Sequence, residues 1–166
     1  ALFRSGRLPV DVALVQTSPP DASGHMSLGV SVDVVRAAVD SARAVVVEVN
    51  PRMPRTHGDS FLHLSDVDAV VEVDAPLPEL PVAEPDDVCR EIARHVATLI
   101  PDEATLQLGI GEIPHALLPL LQHRHELGIH TEMLSDGVLD LLDAGVVTNR
   151  KKPLHTGKTV TAFCMG

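Results

Sequence analysis

Residues 10–49 hold a short buried strand, an amphipathic helix and a second buried strand in direct succession, and that order leaves few folds open. Val10 to Gln16 (VDVALVQ) is short, Val-rich and followed by the turn cluster Thr17-Ser18-Pro19-Pro20-Asp21, which marks a strand. The segment after it reads as a loop. Ser31 to Arg43 then places Val32, Val35, Val39 and Ala42 at the i, i+3, i+7 spacing of one helix face. Ala44 to Val49 (AVVVEV) predicts the next buried strand. Strand, helix, strand is a βαβ unit, with a right-handed crossover if the two strands are parallel. The core must come from Val, Leu, Ile and Ala, because 45% of the chain is hydrophobic yet it contains three Phe and no Trp or Tyr. Such aliphatic strands suit α/β layers.

The same alternation continues. Asn50 to Ser60 (NPRMPRTHGDS) is a loop leaving the carboxyl end of a strand, where ligands bind in open α/β sheets. Val67 to Val73 predicts another strand. Asp74 to Asp87 carries Pro76, Pro78, Pro81 and Pro85, which favour extended backbone and remove ladder donors, so a domain boundary is placed here, between residues 1–80 and 81–166. Asp86 or Asp87 is positioned to cap a helix through Ile100, with Val88, Ile92, His95, Val96 and Leu99 on one face and Pro101 as its stop. Thr105 to Leu108 predicts a strand running into Gly109-Ile110-Gly111. Ile113 to His123 predicts a helix with Pro114 in its first turn, shortened or kinked at Pro119. Gly128 to Met133 reads as a strand, Gly137 to Ala144 as a helix that Ser135 or Asp136 could cap, and Thr159 to Phe163 as a last strand.

Charge and composition exclude several functions. A formal net charge of -10 without a basic stripe argues against nucleic-acid binding, which rests on Lys and Arg neutralising phosphates. No apolar run reaches the roughly 18 residues of a membrane span, and the first residues carry no signal-peptide pattern. Cys89 and Cys164 lie far apart without CxxC spacing, so they are expected to be buried free thiols in a reducing cytoplasm. The sequence starts at Ala1 and stops at Gly166 just as a strand-like run reaches it, so a piece of a longer protein is expected.

Three groups of residues could carry chemistry. The turn LQLGIGEIP (Leu106 to Pro114) lies between a strand and a helix, where glycines allow close backbone approach and free N–H groups face an anion or oxyanion. It lacks both the third glycine of a dinucleotide fingerprint and the GK[ST] of a P-loop, and a plain tight turn remains an alternative. Glu132, at the end of a predicted strand, could serve as nucleophile, base or helix cap. The loop Met53 to Ser60 could bind a carboxylate or phosphate through Arg55, or simply hold its own turn. Nine histidines, among them His57, His63, His123 and His125, include no HExxH and no HxH with a placed carboxylate, so no metal site is expected.

Four stretches resemble a known family when taken together and in order: LPVDVALVQTSPPDASGHMSLGVSVD (Leu8 to Asp33), VNPRMPRTHGDS (Val49 to Ser60), LQLGIGEIPHAL (Leu106 to Leu117) and HTEMLSDGVLDL (His130 to Leu141). They are similar to the acetyl-CoA hydrolase/transferase family, in its 4-hydroxybutyrate CoA-transferase-like branch, over nearly the whole chain. The resemblance implies an α/β fold with two partial open α/β domains of the NagB/RpiA/CoA-transferase type. Residues 1–80 would be the C-terminal part of the first domain, and 81–166 the N-terminal part of the second, carrying the nucleophile. It further implies that Glu132, in the TE motif, attacks an acyl-CoA thioester and that Gln107, Leu108, Gly109, Ile110 and Gly111 contact CoA. Acyl-CoA and a small carboxylate would then be substrates, with no permanently bound cofactor, and the partner a second copy or the remainder of a longer chain. Family members extend further in both directions, and a later glycine-rich segment that helps bind CoA is absent. An acyl-CoA hydrolase, an inactive fragment and a CoA-binding subunit therefore stand as alternatives.

Overall fold

A computed structural model describes residues 2–81 and 83–166; Ala1 and Val82, the latter inside the proline-rich segment, lie outside the described residues. The chain divides into two compact units, Ala1–Pro78 and Glu79–Gly166. In the first, β1 (Val10–Thr17) is followed by β2 (His25–Ser27), α1 (Val35–Val39), β3 (Ala42–Val49), β4 (Phe61–His63), a 3-10 turn at Leu64–Asp66 and β5 (Ala69–Glu72). β3 is the middle strand of a three-stranded sheet ordered β1-β3-β5, parallel to both neighbours and in register with β1 from Val10↔Ala42 to Thr17↔Val49. Ala13, Val45, Val47 and Val49 meet Met26, Leu28, Val39 and Leu62 in an aliphatic core.

Two expectations change here. The helix predicted over Ser31 to Arg43 is only Val35–Val39, and Ala42 already belongs to β3. Asp33, at φ +29°, lies outside helical backbone before the helix starts, and Ala42 pairs with Val10 of β1 instead of extending it. The supposed loop after β1 contains β2, which pairs antiparallel with β4 (His25↔His63, Met26↔Leu62, Ser27↔Phe61). Three-residue strands are too short to show a period of two.

The second unit contains α2 (Asp87–Leu99), β6 (Thr105–Leu106), α3 (Glu112–Leu117), a 3-10 turn at Leu118–Leu121, β7 (Gly128–Ile129), β8 (Met133–Leu134), α4 (Gly137–Asp143) and β9 (Phe163–Cys164). Asp86 is the N-cap of α2, its Oδ1 accepting from the Cys89 N–H at 2.7 Å. The buried face of α2 differs from the predicted one. Ala93 and Ala97 are buried with Val96 and Ile100 packed beside them, whereas Val88 and Leu99 are 65% and 79% exposed. Small side chains let this helix approach Leu117, Leu118 and Leu121 closely. Leu118, Leu121 and Leu127 are at most 1% exposed, and such full burial stabilises by about 1.5–3 kcal/mol per side chain.

Pro119 ends α3 at Leu117 and sets the 3-10 turn, since it has no N–H to continue the α-helical ladder. The strand predicted over Gly128 to Met133 divides: β7 pairs with β6 (Thr105↔Gly128, Leu106↔Ile129), and β8 pairs with β9 (Met133↔Phe163, Leu134↔Cys164). Thr159 to Phe163 likewise shrinks to β9 plus an isolated parallel bridge, His130↔Val160. Neither Ser135 nor Asp136 caps α4 with its side chain, because Asp136, at φ -54° and ψ -37°, already has helical backbone. Among the described residues no helix is long and apolar enough to cross a membrane.

Candidate functional site

The break between β7 and β8 falls at residues 130–132, so Glu132 lies where one pair of strands has ended and the next has not begun. Its side chain is exposed. Its backbone is not loose: the Glu132 carbonyl accepts from Ala162 N at 2.9 Å, Phe163 N at 3.1 Å and Thr161 Oγ1 at 2.9 Å. On the preceding residue, the Thr131 hydroxyl donates to the Leu108 carbonyl at 2.8 Å and accepts from the Leu108 N–H at 2.9 Å, with Thr131 only 5% exposed. The residue before Glu132 is thereby fastened to the strand end that opens the glycine turn.

That turn has one position that needs glycine and three backbone N–H groups without a hydrogen bond among the described residues. Gly111 has φ +113°, a conformation that side chains rarely adopt, so glycine is required there. Among the described residues, the N–H groups of Gly109, Ile110 and Gly111 donate no hydrogen bond. Gln107 is exposed and its amide donates to Leu108 O at 3.3 Å, while Leu108 is buried in the core. With six residues, α3 adds little dipole, and Glu112 opposes an anion at its start. The Glu112 carboxylate turns toward α2, accepting from the Cys89 thiol at 3.7 Å. A cavity of about 470 Å³ is lined by Ile110, Gly111 and His115 on one side and by Ser135, Asp136 and Gly137 on another. The glycine turn and the segment after Glu132 thus share one concave surface; Gln107, Leu108, Gly109 and Glu132 are not among its lining.

Three supporting residues escaped the sequence reading. Lys152 is 3% exposed, with Nζ donating to Ile129 O and Lys158 O, both at 2.6 Å. Burial lowers its pKa from the ordinary lysine value. Asn149 Oδ1 accepts from Ile129 N at 2.9 Å. A Cβ at Gly128 would sit 2.6 Å from Lys152 Cγ, so this glycine makes room for the lysine stem. Lysine is among the residues least often buried, so nothing in the sequence marks Lys152. Thr131, beside the candidate acid, could have been marked by the competition of Thr side chains for backbone partners.

The other candidates hold structure. Arg55 donates to Asp21 Oδ2 at 2.5 Å and to His25 O at 3.0 Å, and its guanidinium lies 4.7 Å from the Phe61 ring centroid, so it secures its own loop. The His25 N–H, the Ser23 hydroxyl and N–H, and Arg55 hold the Asp21 carboxyl down at about 2. His63 bonds Ser65 and Ser23 O. His123 and His125 are exposed. One trio that spacing did not reveal is Asp86, Cys89 and Glu112, whose potential ligand atoms lie within 4.8 Å of one another. The Asp86 hydrogen bond, then burial and the charges of both acids, push the Cys89 thiol up to about 11, so in the metal-free chain it stays protonated. Both cysteines are partly buried rather than fully buried.

Comparison with known proteins places these features in a family. Residues 2–83 match the acetyl-CoA hydrolase/transferase N-terminal domain. The whole chain is 54% identical to a 4-hydroxybutyrate coenzyme A transferase of Clostridium kluyveri, of which it covers 39%. Over 95% of its length it is 44% identical to a succinyl-CoA:cyclohexane-1-carboxylate CoA transferase of Geobacter metallireducens, of which it covers 36%. The chain therefore spans little more than a third of the length of these curated relatives. Its fold superposes on the crystal structure of a 4-hydroxybutyrate CoA-transferase from Porphyromonas gingivalis with a TM-score of 0.94 at 44% identity, covering 99% of this chain and 42% of that one. It is a mixed α/β fold with parallel sheets, close in structure to a CoA-transferase. On the match to its first half and the alignment of its whole length, the chain belongs to the acetyl-CoA hydrolase/transferase family.

Proposed function

We propose that the protein carrying this sequence is an acyl-CoA:carboxylate CoA-transferase in which Glu132 is the residue that carries CoA. The observation that supports it most is the pairing of an exposed carboxylate with a donor turn: Glu132 follows Thr131, whose hydroxyl grips Leu108 at the start of the Gly109–Gly111 turn. A nucleophile beside backbone donors is what acyl transfer requires. The Glu132 carboxylate attacks the thioester carbonyl, forming a C–O bond as the C–S bond breaks, to give an acyl-glutamyl anhydride and CoA thiolate. The thiolate attacks the glutamyl carbonyl, releasing the donor carboxylate and leaving a glutamyl-CoA thioester. An acceptor carboxylate then attacks this thioester, and the returning thiolate takes the acceptor's acyl group and frees Glu132. The N–H groups of Gly109 to Gly111 stabilise the oxyanion of each tetrahedral step, and Gln107 to Gly111 contact CoA.

In this reading both units are partial domains of the NagB/RpiA/CoA-transferase type, with residues 81–166 carrying the nucleophile, and the protein works in the cytoplasm as a homo-oligomer without a permanent cofactor. Its substrates are short-chain acyl-CoAs and carboxylates, with 4-hydroxybutyrate in the set because relatives are named for it. Hydrolysis differs only in that water takes the acyl group, so exclusion of water decides between the two outcomes. An acceptor screen tests the proposal: acetyl-CoA or butyryl-CoA is supplied with acetate, butyrate, succinate or 4-hydroxybutyrate, and new acyl-CoA is measured by chromatography. Transfer to a carboxylate is expected. Free CoA released at the same rate with no acceptor present would make the protein a hydrolase.

A further inference from the structure

We infer that Thr131 is a positioning residue of this site: its hydroxyl stands in for one rung of the β6–β7 ladder, which frees Glu132 from the sheet while holding the glycine turn in register with it. The inference rests on the transferase reading above.

The ladder itself shows the substitution. Gly128 N donates to Ala104 O at 2.9 Å and His130 N to Leu106 O at 3.0 Å. In a parallel ladder these donors advance by two residues on each strand, so the next would be Glu132 N to Leu108 O, with Leu108 N returning to His130 O. Neither bond forms among the described residues. Thr131 Oγ1 takes both places instead, donating to Leu108 O at 2.8 Å and accepting from Leu108 N at 2.9 Å. One hydroxyl can do this because it carries one donor and two acceptor positions.

The N–H of the buried Leu108 is satisfied in this way, which removes the cost of leaving it unpaired, and the Leu108 carbonyl gains a shorter contact beside the 3.3 Å one from the Gln107 amide. The consequence for Glu132 is geometric. Its N–H is released from β6, and its carbonyl turns to Ala162, Phe163 and Thr161, so the chain can change partners from β6 to β9 at this residue. An unbroken ladder through Glu132 would hold the acid inside the sheet. A break without Thr131 would leave Leu108, and the Gly109–Gly111 donors that follow it, untethered to the nucleophile.

The test uses the whole protein that carries this sequence, with Thr131→Val, which keeps the shape and removes the hydroxyl, and Thr131→Ser, which keeps the hydroxyl. Misplacement of reacting groups by about 1 Å costs about 100-fold in rate, so kcat of Thr131→Val should fall about 100-fold while KM for acyl-CoA stays within about threefold. Thr131→Ser should restore kcat to within about threefold of wild type. Hydrogen exchange at the Leu108 amide should accelerate at least about tenfold in Thr131→Val alone. Wild-type kcat in Thr131→Val, equal losses in Thr131→Val and Thr131→Ser, or a loss of kcat without faster exchange at Leu108 would each overturn the positioning role. A wild-type protein that forms no CoA adduct on Glu132 would instead remove the transferase reading, and the positioning role with it.

Discussion

The two units of this chain build parallel β-structure in opposite ways. In Ala1–Pro78, β1 and β3 run eight residues each and are joined by a continuous register of backbone pairs. In Glu79–Gly166 every strand is two residues long, and side chains finish what the backbone leaves open: Thr131 on Leu108, Asn149 and Lys152 on Ile129, Thr161 on Glu132. Long ladders specify their own geometry. Short strands held by side chains let a sheet stop, turn and expose a residue at a chosen point, and in this chain that point is Glu132.

The largest test of the contrast is a proline in the middle of the long ladder. Val47→Pro, at a fully buried position of the central strand β3, should unfold the first unit outright, since it deletes a ladder donor and clashes within a packed sheet. Rapid limited proteolysis within residues 1–78 would record this, and native-like resistance would contradict the primacy of the ladder. The counterpart in the second unit is Lys152→Met. Loss of two carbonyl contacts should cost roughly 1–3 kcal/mol in urea unfolding at pH 7. The lysine also gives a pH signature. Its folded pKa is lowered from 10.5, so the unfolded chain binds more protons over the window between the lowered value and 10.5. Stability should therefore rise with pH across that window in wild type, and this rise should vanish in Lys152→Met.

A smaller effect is expected at the Asp21 turn of the first unit. Its carboxyl is held at about 2 against 3.8. The stabilisation is present above pH 3.8 and fades as pH falls toward 2, so Asp21→Asn should flatten the acid limb of a stability profile and leave the alkaline limb unchanged. The smallest effect leaves the fold untouched. With its thiol near 11 rather than 9, Cys89 should be alkylated by iodoacetamide at pH 8 about 100-fold more slowly in the folded chain than in urea. Equal rates, read by peptide mapping, would remove Asp86 and Glu112 as its neighbours in solution.

The difference between the units also explains what could be read from the sequence. Val10 to Gln16 and Ala44 to Val49 were legible as strands because Val-rich runs bounded by turns leave no other use for themselves, and the cap of α2 was legible to within Asp86 or Asp87 because capping is local chemistry. Pro119 signalled a shortened or kinked helix for the same reason, and α3 is the shortened form. The break at residues 130–132 was not legible. IHTEM has the composition of one strand, and only the tertiary partners of Leu108 and Ile129 divide it. The face of α2 failed similarly: hydrophobicity pointed to Val88 and Leu99, whereas close packing against Leu118 and Leu121 selected Ala93 and Ala97. The acid and the glycine turn could be named as candidates from residue type. The hydroxyl that ties them together could be marked only as one competing for a backbone partner, because a threonine shows which partner it takes only in three dimensions.

Peptide mass spectrometry is the direct test of Glu132 as the proposed covalent carrier. The whole protein is incubated with acyl-CoA and no acceptor, reduced with borohydride, and digested. Conversion of the glutamyl-CoA thioester to an alcohol is expected on the peptide containing Glu132, and on no peptide of a Glu132→Gln variant. Modification of a different glutamate, or transfer activity that survives in Glu132→Gln, would contradict it.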